Sequence, residues 1–255
     1  MIKLMVLLTA LLALPAWAEA LRVAAASDLS CCMDELGAAF TKRTPMAELK
    51  VSLGASGDFF AQIRDGAPFD VFLSADMAYP IHLARAGAAD AGTLTPYAVG
   101  RIVLWSLDPR FDLKQGMQVL NDARLTRIAI ANPAQAPYGR AAKAAIEAAG
   151  SWQAVRPKLV IGETVAQAVQ LVQTGNAQVG IVPYTSVLSP RLKGSGTYYL
   201  IPETGMAPIE QGAIVTAHGK ANPLAARFIQ FLSSPSAREI LQRHGFGLPP
   251  VPPRG

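Results

Sequence analysis

Hydroxyl groups recur at the points where apolar segments give way to helical ones. Ser27 follows the first apolar segment and Ser56 follows the second, while Tyr138 and Val165 stand at two later junctions. Serine and tyrosine hydroxyls donate hydrogen bonds without carrying charge, and a helix start adds unpaired N–H groups and a partial positive charge. A serine before a helix is also an ordinary N-cap. The four junctions taken together, however, predict an anion-binding site.

The donor set indicates which kind of anion would bind. Fully deprotonated molybdate or tungstate offers only acceptors, so a site made of donors suits it, whereas a protonated phosphate would require an acceptor among its ligands. Asp28 and Asp58 adjoin the two serines, and a carboxylate that faced a dianion would repel it. We therefore expect both side chains to turn away and cap their helices. If Asp28 faced the cleft instead, a ligand other than molybdate would be indicated.

Catalytic chemistry finds little support in the sequence. The three histidines, His82, His218 and His244, have no neighbours at metal-ligand spacing. A nucleophilic Ser27 or Ser56 would need an adjacent base, and the sequence offers none. Nothing resembles a phosphate-binding glycine-rich loop or a nucleophile elbow. We therefore predict that the protein is not an enzyme, that it has no catalytic residue and that it needs no cofactor.

The elements that carry these residues alternate between strand and helix. Apolar runs predict strands over 22–26, 49–53, 69–73, 102–107, 127–131, 177–182, 198–201 and 212–216. Helical periodicity covers 29–40, 57–65, 77–86, 138–149 and 164–174, and two further helices begin at Asn222-Pro223 and Ser234-Pro235. This alternation predicts an α/β fold with two lobes, each a mainly parallel sheet flanked by helices. In that division, residues 19–100 and 207–255 form lobe I and residues 101–206 form lobe II.

The first 18 residues predict export from the cytoplasm. Lys3 precedes the apolar run 4–14, and Ala16-Trp17-Ala18 has the small-x-small pattern of a cleavage site, which together describe a secretory signal peptide. The run is about half the ~20 residues that a membrane-spanning helix needs. The adjacent Cys31 and Cys32 lie on a helix, where neighbouring side chains point about 100° apart. We predict that Cys32 lies in the core and that Cys31 is partly buried.

Charge and composition narrow the possible partners. The net charge is +5, but the 23 basic residues are scattered with no run of four or more, so the sequence does not predict nucleic-acid binding. Apolar residues make up 51% of the chain, which is enough for well-filled cores. We expect a monomer whose partner is a small oxyanion.

The ordered motifs resemble those of the periplasmic molybdate-binding proteins of ABC importers, within the type II periplasmic solute-binding family. They are, in chain order, Val23-Ala-Ala-Ala-Ser27-Asp28-Leu29, Gly54-Ala-Ser56-Gly57, Ala61-Gln62-Ile63, Gly66-Ala67-Pro68, Asp70-Val71-Phe72-Leu73-Ser74-Ala75-Asp76, Asn132-Pro133 with Pro137-Tyr138-Gly139, Val179-Gly180-Ile181-Val182, and the closing stretch 237–246. The resemblance covers nearly all of the chain after residue 18. It implies a two-lobe clamshell in the periplasm, an oxyanion in the cleft, and an ABC permease in the inner membrane as partner.

The resemblance also implies a set of ligands. Ser27 would donate its hydroxyl and N–H, Asp28 its N–H and Ser56 its hydroxyl, all from lobe I. Tyr138 and the N–H of Val165 would donate from lobe II. Molybdenum would be held only as its oxyanion, through Ser27, Ser56, Tyr138 and Val165.

Two further positions are weaker candidates, and other ligands stay open. Gly57 adjoins Ser56. Some family members carry a ligand tyrosine directly after the Gly-Ile-Val strand, where Pro183 stands here and Tyr184 follows. Molybdate and tungstate are too alike in size for the sequence to separate them. A sulfate-like anion, a small organic acid or a secreted enzyme on the same fold are the remaining alternatives.

Overall fold

Two five-stranded sheets, each flanked by helices, form the protein. The computed structural model describes residues 19–45, 47–203 and 207–250. The signal peptide predicted over residues 1–18 lies outside these residues. Within the described ranges, no helix is both long enough and apolar enough to cross a membrane.

The first sheet has the strand order β2-β1-β3-β10-β4. Its strands are β1 (Glu19–Ala26), β2 (Ala47–Gly54), β3 (Val71–Ser74), β4 (Thr95–Gly100) and β10 (Ile209–Val215). Five helices belong to this part of the chain: α1 (Met33–Arg43), α2 (Ser56–Arg64), α3 (Ala78–Arg85), α8 (Pro223–Leu232) and α9 (Pro235–Arg243). We call this sheet with its helices lobe I.

The second sheet has the order β7-β6-β8-β5-β9. Its strands are β5 (Ile102–Ser106), β6 (Ile128–Ala131), β7 (Leu159–Gly162), β8 (Val179–Pro183) and β9 (Thr197–Leu200). The helices here are α4 (Pro137–Ala148), α5 (Trp152–Val155), α6 (Val165–Gln173) and α7 (Tyr184–Leu188). We call this unit lobe II.

Short 3-10 segments join several of these elements. They cover Ser27–Cys31, Ala91–Thr93, Leu113–Asn121, Arg156–Lys158 and His218–Ala221. The sequence pattern did not predict β4, β7, α5, α7 or these 3-10 segments. Each of the missed elements is shorter than two helical turns or lacks a clear alternation of apolar and polar residues.

The two sheets share one topology, which also refines the predicted strand directions. In each sheet two neighbouring pairs are parallel and two are antiparallel. In each sheet four strands share one direction. The remaining strand, which is β10 in the first sheet and β5 in the second, lies in the fourth spatial position and runs antiparallel to them. The sheets are therefore mixed, although most strands share one direction. Each reversed strand is the one with which the chain enters that sheet from the other.

Each lobe is stabilised by its own apolar packing. In lobe I, Phe40, Phe228 and Phe231 pack under one face of the sheet, and a second cluster around Phe59 and Phe72 fills the other face. In lobe II, the core lies between the sheet and α4 and α6. The predicted boundaries at 100/101 and 206/207 fall between β4 and β5 and between β9 and β10. The exact division into lobes stays a prediction.

The two cysteines follow the sequence prediction. Cys32 belongs to the lobe I core, Cys31 is partly buried, and both are free thiols.

Candidate functional site

The five principal residues predicted from the sequence lie around one small cavity between the two sheets. Ser27, Asp28 and Ser56 border it from lobe I, and Tyr138 and Val165 border it from lobe II. The remaining lining residues are Ala26, Gly54, Ala55, Ala75, Ala136 and Pro137. The cavity has a volume of about 10 Å³, whereas the neighbouring cleft, which shares Ala75 and Pro137, has about 300 Å³. The small cavity therefore suits a compact guest.

Both serines occupy the first position of a helical segment, directly after a strand of lobe I. Ser27 begins the 3-10 turn after β1 and Ser56 begins α2 after β2. The residues at the N-cap positions are Ala26 and Ala55, and neither segment has a side-chain cap. Helix capping therefore does not explain these hydroxyl groups.

The Ser56 hydroxyl keeps its proton available at the cavity, whereas the Ser27 hydroxyl already donates through a long bond. Ser56 Oγ accepts from the N–H of Ala75 at 3.0 Å, so its own proton is not used by that bond. Ser27 Oγ donates to the carbonyl of Gly54 at 3.2 Å, a long bond for an O–H donor. Both partners are main-chain groups, so neither serine has a base that could activate it as a nucleophile.

Lobe II contributes the N-terminus of α6. The side chain of Thr164 caps this helix by accepting from the N–H of Gln167 at 3.2 Å. Val165 is the first helical residue, and its N–H is one of those that an α-helix cannot satisfy internally. Val165 is buried and lines the cavity. The helix therefore presents a partial positive charge and a main-chain donor there.

Tyr138 joins the lobes through a buried hydrogen-bond network. Its hydroxyl donates to Asp28 Oδ2 at 2.8 Å and accepts from Gln211 Nε2 at 3.0 Å. Gln211 Nε2 also donates to Asp28 Oδ2 at 2.6 Å, and Tyr97 donates to Gln211 Oε1 at 2.6 Å. A Cβ at Gly100 would lie 2.3 Å from the Tyr138 hydroxyl oxygen, so this approach requires glycine there.

The position of Asp28 corrects one sequence prediction. Its carboxylate does not cap the helical turn, because it is turned into the contact between the lobes and bonds to Tyr138 and Gln211. Asp28 is 2% exposed, and its Oδ1 has no hydrogen-bond partner among the described residues. The exposed Asp58 also forms no side-chain cap on α2.

Burial controls the ionisation of this cluster. Loss of hydration raises the pKa of Asp28 from 3.8 to about 6, although hydrogen bonds from Gln211 and Tyr138 partly offset that rise. Burial likewise raises the pKa values of Tyr138 and Tyr97 well above the usual value, and the charge of Asp28 adds to both shifts. Both phenols are therefore neutral donors throughout the physiological range.

The two weaker candidates lie outside the cavity lining. The N–H of Gly57 donates to the carbonyl of Gln135 in lobe II at 2.9 Å, so this donor forms a hydrogen bond between the lobes. The ring of Tyr184 lies under the guanidinium of Arg101, with 4.9 Å from Arg101 Cζ to the ring centroid. Its hydroxyl lies 3.5 Å from that of Tyr198.

The sequence analysis did not predict several further contacts between the lobes. Thr185 Oγ1 donates to the carbonyl of Asp28 at 3.3 Å, and Arg140 forms an ion pair with Asp76. The sequence offers one indication that Gln211 is functional, because this polar residue directly precedes the apolar run that ends β10. Its partners could not be inferred, since they come from segments 73 and 183 residues away.

The sequence matches the bacterial extracellular solute-binding protein family over residues 21–247. The chain belongs to this family. Two curated molybdate-binding proteins are similar to this solute-binding protein over most of their length. The one from Rhodobacter capsulatus is 38% identical over 235 residues, which cover 92% of this chain and 91% of that protein. The one from Azotobacter vinelandii is 38% identical over 238 residues, covering 93% and 94%.

A solved structure shares the fold of this solute-binding protein. The periplasmic molybdate-binding protein of Azotobacter vinelandii superposes with a TM-score of 0.85 at 32% sequence identity, covering 90% of this chain and all of that one. The two-lobe α/β architecture predicted from the sequence is thereby confirmed.

Proposed function

We propose that this protein captures molybdate or tungstate and delivers it to an ABC permease. The observation that carries the proposal is the convergence of Ser27, Ser56, Tyr138 and Val165, from four separate junctions, on one small cavity. Every one of these groups is a neutral donor or can become one. The molybdate-binding relatives support the choice of anion.

Neutral donors suit capture and release of a dianion. Its charge would be spread over hydroxyl and N–H dipoles and the N-terminus of α6, so no ion pair would have to form or break. We infer ligand roles for the hydroxyls of Ser27, Ser56 and Tyr138 and for the main-chain N–H groups of Ser27, Asp28 and Val165. Gly57 is better explained as a contact between the lobes.

Donors from both lobes explain how capture would change the conformation. An open cleft would admit the anion, and closure would complete its shell, because lobe I supplies Ser27 and Ser56 while lobe II supplies Tyr138 and Val165. The closed form would then dock on the permease in the inner membrane. We place the protein in the periplasm as a monomer, exported by a signal peptide over residues 1–18.

The alternatives agree less well with the site. An organic acid is longer than a four-oxygen anion and would need a wider cavity than this one. A serine-dependent enzyme would need a base beside Ser27 or Ser56, and their hydroxyls bond to main-chain groups instead. A sulfate-like anion remains the second candidate, because the same donors would accept it and only the size of the cavity would distinguish the two.

Calorimetric titration tests this function. The anion-free protein without residues 1–18 is titrated with molybdate, tungstate and sulfate. We expect tight one-to-one binding of the first two and little response to sulfate. Ser56→Ala should weaken molybdate binding by about 10- to 100-fold, because one hydrogen bond to a charged group is lost.

Ser52→Ala is the matched control for that titration. Ser52 is an exposed serine on β2, four residues from Ser56, and the substitution should leave the affinity unchanged. No binding of molybdate or tungstate by the wild-type protein would overturn the assignment. Equal affinity for sulfate would replace it with a general oxyanion receptor.

A further inference from the structure

Asp28 presents an electrostatic problem for the proposed function. It borders the cavity, it is almost fully buried, and the cavity would receive a dianion. If the carboxylate stayed ionised, three negative charges would share a site of low dielectric constant. Buried charges are normally neutralised by a partner or by a proton.

No cation in the described part of the chain is bonded to Asp28. Its side-chain partners, Tyr138 from α4 and Gln211 from β10, are neutral. Two cations at the contact between the lobes have other partners, because Arg101 donates to the carbonyl of Gly245 and Arg140 pairs with Asp76.

The other titratable groups around Asp28 are neutral or acidic. They are Tyr97 from β4, on which the charge of Asp28 acts, and Cys31 and Cys32 from its own segment. The helix α6 contributes no titratable residue. Ionisation of any of these groups would add negative charge, so none of them could compensate a dianion.

We propose that capture of the dianion takes up one proton from solvent at Asp28, so that the carboxyl group becomes a donor of the closed site. This inference rests on the proposed function. The unpartnered Oδ1 can carry the proton, because Oδ2 already accepts from both Tyr138 and Gln211. The added proton neutralises the carboxylate and supplies an O–H group at the cavity.

A second arrangement of the same proton has the same consequence. If Oδ2 carried the proton, it would donate to the hydroxyl oxygen of Tyr138. The Tyr138 O–H would then be released from Asp28 and could turn towards the anion. In either arrangement, one proton taken up adds one donor to the site.

The closed form is poised for this uptake before the anion is considered. With the lobes in contact, burial raises the pKa of Asp28 to about 6, so near neutral pH the carboxylate is mostly ionised but easily protonated. A dianion beside it would raise that pKa further through charge repulsion. Above about pH 6 the bound form therefore holds more protons than the free form, and affinity should fall as the pH rises.

Gln211 and Tyr97 act as positioning residues in this account. Tyr97 donates to the amide oxygen of Gln211, which fixes the amide so that its nitrogen points at both Asp28 Oδ2 and Tyr138. Because this nitrogen already donates to Oδ2, the added proton lies either on Oδ1 or in the hydrogen bond between Asp28 and Tyr138.

Titration calorimetry with molybdate in buffers of different ionisation enthalpy measures the proton uptake directly. Near pH 7.5, we expect an uptake approaching one proton per anion. Between about pH 6.5 and about pH 8.5 the Kd should rise by up to about tenfold per pH unit. Asp28→Asn should take up almost no proton and lose this pH dependence, because its amide can place an N–H group where Oδ1 lies.

Asp58→Asn is the matched control, since Asp58 is an exposed carboxylate two residues from Ser56. It removes the same charge and should retain the proton uptake of the wild type. Tight molybdate binding by the wild type without proton uptake would overturn this inference alone. This result does not depend on whether Asp28→Asn folds.

A parallel titration with inorganic phosphate tests the opposite role for the carboxylate. If Asp28 stayed ionised, it would accept a hydrogen bond from a protonated oxyanion, and phosphate would bind better than molybdate. That outcome would overturn both the proton uptake and the choice of anion. If neither the wild type nor Asp28→Asn binds molybdate, that result would overturn the proposed function, and this inference with it.

Discussion

At the scale of single residues, one phenol serves two purposes. The Tyr138 hydroxyl holds the lobes together through Asp28 and Gln211, and it borders the space proposed for the anion. Capture and closure are therefore coupled through one oxygen atom. A change to that atom should affect both.

Tyr138→Phe should weaken molybdate binding by about 10- to 100-fold, since it removes a donor and leaves Asp28 Oδ2 with one partner fewer. Calorimetry measures the affinity, and thermal unfolding without the anion measures the separate cost to the fold. Tyr198→Phe is the control, because that ring is 46% exposed. Unchanged affinity in Tyr138→Phe would remove the residue from the ligand set.

At the scale of elements, the start of α2 lies against the loop that precedes α4. The N–H of Gly57 donates to Gln135, and a Cβ at Gly57 would lie 2.8 Å from the Gln135 carbonyl oxygen. Only a residue without a side chain allows this approach. Closure therefore depends on a glycine that lies outside the cavity lining.

Gly57→Ala should lower anion affinity by about tenfold or more while the fold keeps or gains stability, since alanine favours a helix by up to about 1 kcal/mol over glycine. Calorimetry and thermal unfolding together measure the two effects. Gly37→Ala in α1 is the control, because its new Cβ would meet Leu49 at an ordinary 3.7 Å. A loss of fold stability without a loss of affinity would contradict this account of closure.

At the scale of the whole molecule, the proposed anion would connect two separate cores. Each lobe has its own apolar core, and the contacts between them include Tyr138–Asp28, Gly57–Gln135 and the ion pair of Arg140 with Asp76. A ligand that contacts both lobes should bind only when both are folded. Its binding energy should therefore stabilise the molecule as a unit.

Molybdate at about 100 times its Kd should add about 2.7 kcal/mol to the free energy of unfolding. For a protein of this size that corresponds to a rise in Tm of about 5–10 °C. Differential scanning calorimetry with molybdate and with sulfate measures the shift. A rise confined to one of two resolved transitions would show that the anion contacts only one lobe.

The sequence by itself determined the class of fold and most of the candidate site. Apolar periodicity located eight of the strands and the longer helices, because a buried face requires a regular spacing of apolar residues. The junctions at Ser27, Ser56, Tyr138 and Val165 could be identified because parallel strands end at the same edge of a sheet, where their loops converge. Locating these junctions needs only local pattern and a general rule of topology, whereas the choice of ligand residues within them came from the resemblance to the molybdate-binding proteins.

Only the tertiary structure decided what Asp28 does. Its partners come from α4 and β10, more than 100 residues away along the chain, and no local pattern records such pairings. The sequence analysis predicted that this side chain turns away and caps its helix, because a carboxylate that faced a dianion would repel it. Burial between the lobes outweighed that preference. The depth of burial, and with it the raised pKa, exists only when both lobes close over the residue.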